Sequence, residues 1–144
     1  MKFSGKREKF VNALVLISNV AGNKGNIDLL GNTKIETFDD KNIFLSATDL
    51  TSGIKISVLA KIIEKGAVTL PAQKIFEIIK EQKCEDIVFD IDENDSFKTK
   101  ITAKKTNYIT HGLSEKNFPI IPQFTFKNSI KISINNLKEM INAT

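Results

Sequence analysis

Val68-Thr69-Leu70-Pro71-Ala72-Gln73-Lys74-Ile75-Phe76-Glu77-Ile78-Ile79 is the stretch on which the reading of this chain turns. A strand-like tripeptide runs into a proline. Beyond it Ile75, Phe76, Ile78 and Ile79 are apolar, whereas Gln73, Lys74, Glu77, Lys80 and Glu81 are polar, the period of a helix with one buried face. Pro71 suits the first turn of that helix, where a missing N–H had no partner anyway. About 65 residues earlier the same figure stands: Lys2-Phe3-Ser4 leads into Lys9, Phe10, Val11 and Leu14 at matching offsets. That earlier helix spans about Arg7 to Val20, with Phe10, Leu14 and Ile17 on one face, and stops near Ala21-Gly22-Asn23.

Working outward, each helix is followed by three segments with the period of strands. Ile54, Ile56, Val58, Ala60 and Ile62 alternate with polar residues and Leu59 over one long run. Ile87, Phe89 and Ile91 do so in another, and Phe97, Ile101 and Ala103 in a third. Asp39-Asp40-Lys41-Asn42, Thr51-Ser52-Gly53 and Glu93-Asn94-Asp95 supply turn chemistry between neighbours. Such short connections predict antiparallel pairing. Ile130-Lys131-Ile132-Ser133-Ile134 then reads as another strand, with Asn135-Asn136 as a helix cap before Leu137, Met140 and Ile141. The pattern is two strand–helix–three-strand units and the opening of a third. A unit that cannot bury its apolar face alone does so against its neighbour. The expected fold is α+β: antiparallel sheets on one side, two helices on the other, and one shared core. Residues 1–125 form that domain, and 126–144 the truncated beginning of a second. The apolar residues of that tail are expected to be disordered or to pack on a neighbouring copy.

Composition narrows the function classes. With 41% hydrophobic and 26% charged residues, the chain has the make-up of a folded domain rather than of a disordered one. Its longest apolar run, Ala13 to Ile17, is far short of a membrane span. One cysteine, Cys84, cannot make an internal disulfide, which fits a cytoplasmic setting. Net charge is +4, with 21 basic and 17 acidic side chains. That excess permits contact with polyanions and argues against a tight, purely electrostatic grip on nucleic acid.

No catalytic or metal-binding constellation is legible, and no cofactor is called for. His111 has no Cys or His nearby, and Cys84 no partner in a CxxC pair. Asp90, Asp92, Glu93 and Asp95 lack the glycine and distal glutamate of a calcium loop and read as a solvated hairpin tip. Gly22, Gly25 and Gly31 do not make a phosphate-cradling loop, and no nucleophile elbow is present.

Met1-Lys2-Phe3, Leu30-Gly31-Asn32, Ala47-Thr48-Asp49-Leu50, Leu70-Pro71-Ala72-Gln73-Lys74 and Phe118-Pro119 follow one another in an order and spacing that resembles the beta-subunit family of bacterial DNA polymerase III, the sliding clamps. Each motif is weak alone; the ordered set spans almost the whole chain. The resemblance implies a non-enzymatic processivity factor with three domains of this architecture, two chains closing head to tail around duplex DNA. Helices would line the pore and sheets would form the rim. Sparse basic residues would attract phosphates without reading bases. Further partners implied for the full-length protein are the polymerase and the clamp loader. The pocket that captures their peptides is expected beyond Thr144. The other readings are a stand-alone nucleic-acid-binding α+β domain, which would bind short linear DNA directly, and a small enzyme.

The resemblance also implies site residues. Lys24 stands where the family usually has a DNA-contacting arginine, and keeps charge without a bidentate fork. Gln73 stands at a second such position, where only a hydrogen bond to phosphate is left. Asn12, Lys9 and Lys80 could face the pore, though each also reads as a solvated helix residue. Lys74, Lys105, Tyr108 and Thr110 map to the edge that would meet the partner chain's third domain. Lysines on an edge strand also keep it from aggregating. Asn107 falls where a basic residue is common.

Overall fold

Both strand-to-helix entries form where the repeat places them. In a computed structural model that describes residues 1–21, 28–121 and 130–143, β1 (Lys2–Lys6) runs directly into α1 (Arg7–Val20), and β6 (Ala67–Pro71) into α2 (Ala72–Lys80). The junction residues Lys6 and Pro71 are both extended, with ψ of 124° and 111°. Pro71 is thus the last strand residue and the N-cap of α2, not its first helical residue. Its φ of −61° serves either state, and pairing with Asn32 holds it in the sheet.

After α1 come β2 (Asn32–Thr37), β3 (Asn42–Thr48), β4 (Gly53–Leu59) and β5 (Lys61–Glu64). After α2 come β7 (Asp86–Asp92), β8 (Lys98–Ala103) and β9 (Thr106–His111). They form two antiparallel sheets, ordered β5-β1-β7-β8-β9 and β4-β3-β2-β6. The two units exchange their first strands: β1 lies against β7, with Phe3 opposite Phe89, and β6 against β2, with Val68 opposite Ile35.

The end of each unit then crosses back to its own first strand. The long run from Ile54 to Ile62 is two strands in different sheets rather than one. It bends at Ala60, and β5 pairs with β1. Alternation passes through the bend unbroken because Val58 and Ala60 both face the interior. In the second unit β9 bends at Gly112 and makes a single bridge from Leu113 to Thr69 of β6. The bends share a bond: the Ala60 N–H donates to the Lys41 carbonyl at 2.9 Å, and the Gly112 N–H to that of Phe97 at 3.1 Å. Phe97 itself belongs to the preceding turn, with φ of 51°, so β8 starts one residue later than the alternation suggests.

One core serves both units. Phe10, Leu14 and Ile17 of α1 and Ile75 and Ile79 of α2 belong to the same buried cluster, and the helices pack against each other. Phe3 stacks on Phe89 at 4.8 Å between ring centres, and Phe10 lies 5.4 Å from Phe89, so a first-unit helix and a second-unit strand meet in the centre.

The third unit is only half realised. Residues 130–133 are not a strand, because none of the described strands pairs with them. The helix α3 (Ile134–Asn142) does form, so of the two expectations for the tail, disorder does not hold over these residues. Its cap is Ser133, whose hydroxyl accepts from the Asn136 N–H at 3.2 Å, rather than Asn135-Asn136. Ile134, Leu137 and Met140 are exposed on it. The proposed boundary near residue 125 lies outside the described residues.

Candidate functional site

Two regions gather the residues singled out from the sequence: the outward faces of the two helices, and the β9 edge of the larger sheet.

On the helices, burial of Phe10, Ala13, Leu14 and Ile17 turns Lys9 and Asn12 to solvent, and burial of Ile75 and Ile79 does the same for Gln73, Lys74 and Lys80. Lys9 and Lys74 occupy equivalent repeat positions. Lys9 and Asn12, with Leu16, line a shallow groove of about 350 Å³ against β4. Gln73 is already engaged: its amide nitrogen donates to the Glu77 carboxylate at 2.8 Å. One N–H of that amide is left for an outside acceptor, beside a carboxylate that would repel phosphate. Lys80 lies over the Phe76 ring at 5.5 Å. Lys24 falls outside the described residues.

Arg7 was not singled out, and it is the only arginine in the chain. Its guanidinium donates to the carbonyls of Ile79 at 3.0 Å and Lys80 at 2.6 Å, satisfying orphan acceptors at the α2 C-terminus. The one forked donor is therefore structural. Nothing in the local sequence signals this; only helix pairing brings the two ends together.

The edge is built by β9, the last strand of its sheet. Lys105 is exposed in the turn joining β8 to β9, beside Lys104 at φ 54°. Tyr108 and Thr110 point inward, opposite Ile101 and Thr99. Thr110 is only 2% exposed, so its hydroxyl is closed to a partner and any part it plays at the edge falls to its backbone. Tyr108 is half-buried against the core. On the outer side Ile109 is 57% exposed, and Asn107 accepts a hydrogen bond from the Thr102 hydroxyl at 2.9 Å. Strand alternation could have signalled Ile109 from sequence.

Lys74 sits on α2 rather than on the edge strand. Its i+4 neighbour on the helix is Ile78, and Gln82 lies beyond the C-cap Glu81. Gln82 then joins helix to edge: its amide nitrogen donates to the Ile78 carbonyl at 2.8 Å and to the Tyr108 hydroxyl at 3.0 Å. The helix and strand portions of the candidate surface are thus connected.

Elsewhere, Glu36 bridges Lys34 at 2.6 Å and Lys55 at 3.1 Å on the outer face of the smaller sheet. Burial pushes its carboxyl upward, but the two ammonium groups outweigh that and hold it below its ordinary value. Among the described residues, no cluster of His, Cys, Asp or Glu is placed to hold a metal ion, and no helix is long and apolar enough to cross a membrane.

Known proteins share this arrangement over its whole extent. Beta sliding clamps of Chlamydia pneumoniae and of Synechocystis are 28% and 29% identical over 100% and 96% of this chain. The chain spans 38% and 37% of those relatives' lengths. A putative DNA polymerase III beta subunit from Eubacterium rectale superposes with a TM-score of 0.89 at 27% identity, over the full chain and 39% of that protein. The beta subunit of Streptococcus pyogenes DNA polymerase has the same TM-score at 22% identity, covering 98% of this chain and 38% of that one, and so speaks for the fold. Residues 1–122 match the model of the DNA polymerase III beta subunit N-terminal domain, the span that holds both exchanged strand–helix units, and on that match the chain belongs to this family.

Proposed function

We propose that this chain is a ring segment of a DNA polymerase processivity factor: residues 1–125 the first domain of a sliding clamp, residues 126–144 the start of the second. The observation that carries the reading is the pooled core of two exchanged units within a span matching the family over residues 1–122. In this reading the segment does no covalent chemistry. It contributes two helices to the wall of a ring and one sheet edge to its closure. The ring works in the cytoplasm and tethers a polymerase brought by a clamp loader, whose peptides bind in later domains.

The exposed polar groups on the helices suit such a wall. Lys9 and Lys80, interspersed with Gln73, Asn12 and Glu77, give a weak positive field without a continuous phosphate-binding track. Lys24 would add to it. Weak attraction suffices where topology retains the DNA, and it leaves the ring free to move. At the edge, Lys105 and Lys74 favour an acidic partner and discourage self-pairing of identical edges.

Titration of a short linear duplex at low and moderate salt tests this. The expected result is negligible binding at moderate salt, because a linear fragment offers no topological link. Submicromolar affinity there would instead indicate a stand-alone nucleic-acid-binding domain.

A further inference from the structure

Tyr108 is the only tyrosine of the chain, and it sits on the free edge strand with its hydroxyl in a defined environment. The nitrogen of Gln82 that touches it is also 2.8 Å from the Ile78 carbonyl. A carbonyl can only accept, so the atom facing it must be the amide N–H₂ and not the amide oxygen. That same nitrogen, 3.0 Å from the phenol, has no lone pair to offer. The Tyr108 oxygen is therefore the acceptor in that bond, and its own proton must be given elsewhere. Among the described residues no acceptor takes it.

From this one-way geometry we infer that Gln82 is a positioning residue for ring closure. It sets the polarity of Tyr108, so that the edge presents an O–H donor to an acidic or carbonyl acceptor on the adjoining protomer. The inference rests on the reading of β9 as the closing edge and adds the chemistry of the group it meets there. Three features agree with an acceptor-rich partner. Lys105 stands at the tip of the same hairpin, exposed and free of any ion pair among the described residues. Lys74 is exposed on α2, the helix whose Ile78 carbonyl Gln82 bonds from beyond the C-cap. Because the Gln82 side chain bonds both the end of α2 and the edge strand, the helix-borne and strand-borne donors are held in one frame.

The test uses the full-length protein that carries these residues, diluted through its protomer dissociation and followed by analytical ultracentrifugation. Tyr108→Phe keeps the ring and removes the proton; dissociation is expected to rise about tenfold. Gln82→Glu keeps the shape but supplies an acceptor that would take the Tyr108 proton, and is expected to weaken association by a similar factor. Combining Gln82→Glu with Tyr108→Phe should add little, since both act through one hydrogen bond. Gln82→Lys, which retains a donor-only tip, should restore near wild-type association. Thermal midpoints of all variants separate this from general loosening of the fold, which would lower stability and association together and show no coupling or rescue. Should wild-type protomers dimerise while Tyr108→Phe and Gln82→Glu leave dissociation within about twofold of wild type, the assignment of Gln82 is overturned and ring closure stands. A full-length wild type that never dimerises overturns both.

Discussion

Arg7 shows how a single side chain can be withdrawn from function by a contact that sequence spacing does not reveal. It lies in the first turn of α1 and would read as a basic surface residue, yet it closes the last turn of α2 through two carbonyls. Arg7→Ala should lower stability by about 1–3 kcal/mol, as expected for charge-assisted bonds to otherwise orphaned acceptors. Arg7→Lys should recover only part of that, since an ammonium lacks the fork. Urea denaturation of the three proteins gives the comparison; equal midpoints would remove Arg7 from the account of the helix pair. Two turn carboxylates act at the same scale. Asp49 is held below its ordinary pKa by the Ser52 backbone N–H and the Thr51 hydroxyl, and Asp39 by the Asn42 side chain and the Lys41 N–H. Folding favours the ionised form of each. The stabilisation is therefore complete above the unfolded value of about 3.9 and is lost as pH falls through the depressed folded value. Denaturation midpoints should drop on acidification from about pH 5 to pH 2, and Asp39→Ala with Asp49→Ala should flatten that limb.

At the scale of elements, the two crossings between sheets explain where small residues are obligatory. A Cβ on Gly112 would lie 2.8 Å from both the Thr69 carbonyl oxygen and a Leu70 methyl, so the chain can pass β6 only without a side chain there. Gly112→Ala should cost about 1–3 kcal/mol and should disturb the Leu113–Thr69 bridge first, visible as faster amide exchange at those two residues. Unchanged exchange would mean that the bridge does not depend on the close approach. The equivalent bend carries Ala60, which is buried, and there the crossing extends into the full strand β5. The residues of 130–133 make the converse point. They alternate apolar and polar residues as a strand would, but β1 and β6 exist because each is hydrogen-bonded into a sheet contributed mainly by the other unit. Alternation without a partner does not make a strand. A helix satisfies its own backbone, so α3 forms on a Ser133 cap even though its apolar residues Ile134, Leu137 and Met140 remain exposed.

For the molecule as a whole, the exchange of first strands makes the two units one cooperative body. Phe10→Ala in the first unit should cost about 3–5 kcal/mol, and Ile75→Ala in the second about 2–5 kcal/mol. Each should shift a single transition that is identical by Tyr108 fluorescence in the larger sheet and by amide exchange of β3 in the smaller. Separate transitions for the two sheets would break the picture of a shared interior. The repeat itself was legible without coordinates, because helical and strand periods record which face of each element is buried. So were the position of α1, the apolar face of α2 and the α+β class. The exposure of Lys9, Gln73 and Lys74 also followed from local pattern alone. The inward turn of Thr110 and the joint from Gln82 to Tyr108 did not follow. Nor did the engagement of Gln73 by Glu77, the capping by Arg7, or the splitting of residues 54–62 between two sheets. Periodicity states that a side chain is inside or outside, and says nothing of which distant segment lies opposite it. That second quantity depends on how the two units are threaded through one another, and only the packed chain determines it.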